Sequence, residues 1–211
     1  MSHSTLIALF SACCPWLALV RSFQAVAGRC GLARRGGARL SLLGVVAIGL
    51  LPVPVRGMPV AGWLRGCNAN FSIPFTALLA VAVWETEFSA RLFSQRDWTA
   101  GWAFGSLAGL GLYPFALGWG RLDPYEWGWS FLPLAVISAL LTSALLWKQN
   151  RFGLRLLLAI LAYNLRLLES TNYWDYLLDP VYCLVSIITL GWRLWDCLKT
   201  QFWEGERPRE P

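Results

Sequence analysis

Asp175 and Asp179 stand four residues apart in the last quarter of the sequence. On a continuous helix that spacing sets both carboxylates on one face, where neighbouring like charges drive their pKa values apart and the pair can do acid and base work in a hydrolysis. The surrounding chain is rich in groups that recognise small molecules. The run 164–180 supplies Asn164, Arg166, Glu169, Asn172, Tyr173 and Trp174, and the run 120–129 supplies Arg121, Asp123, Tyr125, Glu126, Trp127 and Trp129. Aromatic faces stack on ligands while charged and amide groups fix polar edges. Tyr125, Trp127, Arg166, Asn172, Trp174, Asp175 and Asp179 are therefore the candidate ligand-binding residues of an outward-facing pocket.

The same residues also have a purely structural reading. Trp and Tyr collect at the two faces of a membrane. Arg166 and Glu169, three apart on one helical face, would pair. Asp179 followed by Pro180 reads as a helix N-cap and first helical position.

Several other chemistries lack their residues. The single histidine, His3, leaves no pattern for bis-histidine haem, zinc peptidases or a histidine-assisted nucleophile. Walker A, GxGxxG and GxSxG patterns are absent, as is the GxGD run of intramembrane aspartic peptidases, so no cofactor and no metal is expected. Of the six cysteines, only Cys67 falls in an outer polar connection, at 65–70, and no CxxC occurs.

Composition decides where these groups must sit. Hydrophobic residues make up 56% of the 211, charged residues only 14%, and mean hydropathy is +0.49; soluble domains carry about 25% charge. A water-soluble core cannot hide that much apolar surface. Seven apolar stretches, at 5–20, 40–55, 71–84, 98–119, 131–147, 152–168 and 177–198, approach the roughly 17 to 25 residues a helix needs to cross hydrocarbon. The first and third are short and contain Pro15 and Pro74, so six or seven spans are both open. Lys and Arg mark orientation because cytoplasmic connections accumulate them. Of 18 in total, Arg56, Arg65, Arg121 and Arg166 fall on one side and the remaining fourteen on the other, which places the 21–39 connection and the C-terminus in the cytoplasm. This bias also accounts for the net charge of +6, and no basic stripe suited to nucleic acid is present. No basic residue precedes the 5–20 run, against a secretory signal, and lipidation at Cys13 would strand five arginines outside.

The expected fold is an all-α polytopic transmembrane bundle. Residues 1–203 form one integral membrane domain and 204–211 a disordered charged tail. Gly101, Gly105 and Gly109 repeat every fourth residue, a smooth helix-packing stripe that fits an internal contact or a homodimer face. The expected location is a cell membrane, in bacteria the inner one, with the lipid bilayer as constant partner. The leading functional expectation is a small-molecule binding or transport component. The alternatives are a non-enzymatic accessory or assembly subunit bound to other membrane subunits or to its own copy, and an aspartate-dependent intramembrane hydrolase.

Overall fold

Long runs of Leu, Ala, Val and Ile leave the backbone few polar side chains to bond with, so it closes its hydrogen bonds locally, in helices. The computed structural model describes residues 3–30, 36–68 and 70–204, apart from the side chains of residues 4, 38, 65, 67 and 201–204. The chain is mostly helical, consistent with an all-α fold. In order come α1 (His3–Arg29), α2 (Gly37–Leu50), a small hairpin of β1 (Pro54–Val55) and β2 (Met58–Pro59), α3 (Val60–Cys67), α4 (Ile73–Phe88) and α5 (Gln95–Ala116). A 3-10 turn (Pro124–Gly128), α6 (Leu132–Trp147), α7 (Phe152–Asn164), α8 (Trp174–Leu177) and α9 (Pro180–Glu204) complete it.

The seven long helices run alternately up and down, as contacts at the two ends of the bundle establish. At one end, the buried carboxylate of Glu87, at the close of α4, accepts from Gln24 Nε2 of α1 at 3.1 Å and from the Gly36 amide just before α2 at 2.9 Å. Arg39 Nε stands 3.8 Å away as its ion partner. At the same end Asp97, in the first turn of α5, forms a capping box with Ser94 and accepts from the Arg151 amide at 2.7 Å, joining the α6–α7 connection to the start of α5. At the opposite end Asp179 begins α9. Its carboxylate accepts from Tyr182 N at 2.9 Å, from the Ser72 amide and hydroxyl at 2.9 and 2.6 Å, and from Asn68 Nδ2 at 2.9 Å. Asp179 is thus the N-cap that its place before Pro180 predicts, and it also ties α9 to the start of α4.

Close approach of α5 and α9 shapes the middle. A Cβ on Gly109 would overlap Cys183 Sγ and stand 2.8 Å from its Cβ; one on Gly105 would overlap Ser186 Oγ and lie 2.8 Å from Tyr182. Gly101 meets Leu78 and Phe152 from α4 and α7, and its carbonyl accepts the Tyr182 hydroxyl at 2.6 Å. The glycine stripe is therefore filled from within the chain, which leaves no homodimer face there. Leu78, Phe152, Leu156, Tyr173, Tyr176 and Tyr182 are fully buried around it.

Helix lengths differ from the expected spans. α1 extends to Arg29 with Pro15 inside it and absorbs the first part of the arginine-rich connection. Its Thr5–Arg29 stretch (25 residues, mean hydropathy 1.7) and Pro180–Thr200 of α9 (21 residues, 1.4) are long and apolar enough to cross a membrane. α2, α4, α6 and α7 have 14, 16, 16 and 13 residues, about 20–24 Å of rise against a hydrocarbon layer of about 30 Å. Six or seven full spans are not established by length. α9 is described as far as Glu204, and the rest of the expected tail, 205–211, lies outside the described residues.

Gly109→Ala overpacks the α5–α9 contact and should cost about 1–3 kcal/mol, read as a lower thermal midpoint in detergent. Gly111→Ala, with nothing within 4 Å of the new methyl, should hold or raise that midpoint through helix propensity.

Candidate functional site

The structure brings Tyr125, Asn172, Trp174 and Asp175 together, and there they bond to one another. Asn172 is fully buried. Its Nδ2 donates to the Tyr125 carbonyl at 3.1 Å, and its Oδ1 accepts from the Trp174 amide at 2.9 Å. Trp174 Nε1 donates to the Pro124 carbonyl at 2.8 Å, and the Tyr125 hydroxyl reaches both Asp175 oxygens at 3.0 and 3.2 Å. Burial, then the neighbouring Asp175 charge, pushes the Tyr125 phenol up to about 12, so it stays a donor to that carboxylate at neutral pH. Tyr173 completes the join, its amide donating to the Gly128 carbonyl at 3.0 Å, and a Cβ on Gly128 would overlap Asn172 Oδ1. These contacts latch the α5–α6 connection to the α7–α9 connection. They engage both polar atoms of the Asn172 amide, which is shut off from the surface.

The other three candidate residues stand outside the latch. Asp179 is engaged with Ser72 and Asn68, as described above. Trp127 is 48% exposed. Arg166 is exposed at φ 52°, the left-handed residue that ends α7. Its amide bonds back to Tyr163 O and that of Leu167 to Ala162 O, a Schellman closure. Because the helix stops there, Arg166 and Glu169 do not share a helical face, and the one ion pair among the described residues is Arg39–Glu87. Asp175 and Asp179 are separated too: α8 ends at Leu177 and Leu178 is extended, so each carboxylate serves a different network. A shared-face dyad for hydrolysis does not form.

The arginine end holds a different feature. An open groove of about 820 Å³ is bordered by Arg21 of α1, by Leu79, Ala82, Glu85 and Thr86 of α4, by Arg91 of the following connection, by Trp98 and Trp102 of α5, and by Val185, Thr189 and Arg193 of α9. Trp98 and Trp102, one turn apart, stack with centroids 5.7 Å apart and planes at 17°. Glu85 is the groove's one carboxylate among the described residues, and both of its oxygens are engaged, by the Phe93 amide at 2.7 Å and by Trp98 Nε1 at 3.3 Å. Among the described residues Arg193 donates to the neutral Thr99 hydroxyl at 3.2 Å. Neither the Arg21 nor the Arg91 side chain has a hydrogen bond or ion pair among the described residues. Among the described residues, three arginines against one carboxylate leave a formal excess of +2 on an aromatic and aliphatic wall.

Sequence reading counted these arginines only as markers of the inner face. Two signals could have singled them out. Trp98 and Trp102 share a helical face just after the connection that carries Arg91, and Arg193 interrupts the last apolar stretch, where an ionisable group needs a reason. Among the described residues no cluster of His, Cys, Asp and Glu fits a metal ion, and Cys13, Cys14, Cys30, Cys183 and Cys197 are free thiols; the Cys67 side chain lies outside the described residues. Comparison with protein families, with characterised proteins and with solved structures finds no match.

Asn172→Ala should destabilise by about 1–3 kcal/mol, since it strands the half-buried Tyr125 carbonyl and Trp174 amide. Arg166→Gly should instead stabilise by about 0.5–1 kcal/mol by relieving the left-handed backbone. Thermal unfolding of both variants checks the pair.

Proposed function

We propose that this chain is a multi-pass membrane protein, a small-molecule binding or transport component whose ligand enters the arginine-lined groove from the cytoplasmic side. In this reading α2, α4, α5, α6, α7 and α9 are six spans, and α1 is the seventh where it crosses. The latch lies at the outer face of a bacterial inner membrane and the C-terminus is cytoplasmic.

One observation carries the reading: a belt of large apolar side chains faces outward between two polar ends. Leu107, Leu132, Ile137, Leu140, Leu158 and Leu184 are 47–73% exposed on four different helices. A protein dissolved in water rarely leaves so continuous an apolar girdle open, whereas lipid is as apolar as these side chains and takes no penalty from them. The ends support the same orientation. Arg21, Arg39, Arg91, Arg96, Lys148, Arg151 and Arg193 all belong to the Glu87–Asp97 end, as inward-facing positive charge requires. Helices of 13–16 residues are short for this role, and local thinning of the bilayer accommodates them at a cost of fractions of a kcal/mol per Å.

Binding is favoured over an assembly role because the glycine stripe, the expected docking face, is occupied by α9, while the groove keeps both its space and its uncompensated charge. The absence of a paired dyad withdraws support from the hydrolase alternative.

Fusion reporters test the reading. A reporter after Gln149 should remain cytoplasmic and one after Glu126 should be exported, with the protein staying in the membrane pellet at alkaline pH. Export at Gln149, or release of the intact protein without detergent, contradicts it.

A further inference from the structure

The groove at the arginine end has a composition that narrows its ligand, given the membrane reading above. Its rim is cationic and its depth is not: Arg21, Arg91 and Arg193 border a wall made by Leu79, Trp102 and Val185. A guanidinium presents a planar fork of donors that matches a phosphate oxygen pair, and it is less strongly hydrated than an ammonium, which suits it to the edge of hydrocarbon. Arg21 and Arg193 are both partly buried, on α1 and α9, so the groove holds two such forks on different helices. Glu85 offsets only one of the three charges and forms no ion pair with them among the described residues, its oxygens being taken by Phe93 N and Trp98 Nε1. An anion with room for two or three guanidinium contacts is the group this rim lacks.

The wall adds a second requirement. Trp102 stacks on Trp98 and meets Tyr182 edge-on at 6.4 Å, so the aromatic surface continues inward from the rim toward the α5–α9 contact. An inorganic anion would leave that surface unused. A volume of about 820 Å³ suits a ligand larger than phosphate, since drug-sized molecules fill about 300–1,000 Å³. Basic pockets between helices on the cytoplasmic side are also where anionic lipid headgroups settle.

We infer that the groove binds a phosphate-bearing amphiphile, with its phosphate between Arg21 and Arg193, Arg91 closing the rim, and its apolar part along Trp102 and Val185. The phosphate can come from an inner-leaflet lipid or from a soluble phosphorylated molecule, and the test separates the two.

Detergent-solubilised full-length protein, its orientation already fixed by the reporters, is titrated with phosphatidylglycerol, soluble glycerol phosphate and phosphatidylcholine in turn. Native mass spectrometry counts bound ligand. One saturable phosphatidylglycerol site is expected, weakened at least tenfold in Arg21→Gln/Arg193→Gln and unchanged in Arg29→Gln, which alters an exposed arginine on the same helix outside the groove. Trp102→Ala should weaken phosphatidylglycerol more than glycerol phosphate. If glycerol phosphate fills the site as tightly with the same arginine dependence, phosphate recognition stands and the source is soluble. Equal binding of phosphatidylcholine, or equal weakening in Arg29→Gln, overturns the proposal even where the reporters uphold the membrane reading.

Discussion

The packing of α9 onto the glycine face of α5 is the contact on which the rest of the molecule depends. Only hydrogen at Gly105 and Gly109 lets Ser186 and Cys183 come so near the α5 backbone. That approach carries Tyr182 to the Gly101 carbonyl and seats it among Phe75, Trp102 and Phe104. It also fixes what happens at both ends of α9. Toward its start, Asp179 reaches Ser72 and Asn68; toward its end, Arg193 reaches Thr99 and borders the groove. A wider spacing between the two helices would part Tyr182 from Gly101 and Arg193 from Thr99 together.

The two ends of the bundle use polar groups in opposite ways. At the aromatic end, polar groups are paired with each other: Asn172 with Tyr125 and Trp174, Asp175 with Tyr125, Asp179 with Ser72. Such saturation is what a buried network needs, because each unpaired member would cost about 1–3 kcal/mol, and it rigidifies the connections without leaving a binding surface. At the arginine end, Glu87 and Asp97 are likewise saturated, yet the groove beside them retains three arginines and no free carboxylate. That unbalanced charge next to an apolar wall is what the proposed ligand would complete, and it separates this end from the latch in kind.

What sequence made legible follows from periodicity and from local chemistry. Apolar runs located every long helix, the Asp179–Pro180 pair located the α9 cap, and the four-residue glycine spacing located the tight helix contact. Pro15 misled the reading of α1, since in apolar surroundings a proline within a helix is tolerated and the helix runs on to Arg29. Arg166 misled the reading of α7: a left-handed helix end is usually signalled by glycine or asparagine, and an arginine there looks like a continuing helix face. The groove was invisible for a deeper reason. Arg21, Glu85, Trp102 and Arg193 are brought together from four helices, and no single stretch of sequence carries their juxtaposition.

Immersion of the apolar belt in lipid is the claim from which orientation, groove and ligand class all follow. A nitroxide-bearing amino acid at Ile137, midway along α6 and 54% exposed, reads its surroundings directly when the protein is reconstituted in bilayers. The account predicts strong relaxation by dissolved oxygen and weak relaxation by a water-soluble nickel chelate at Ile137, with the reverse at Gln149. Strong relaxation by nickel at Ile137 would mean that water, and not lipid, covers the belt, and the account would be wrong.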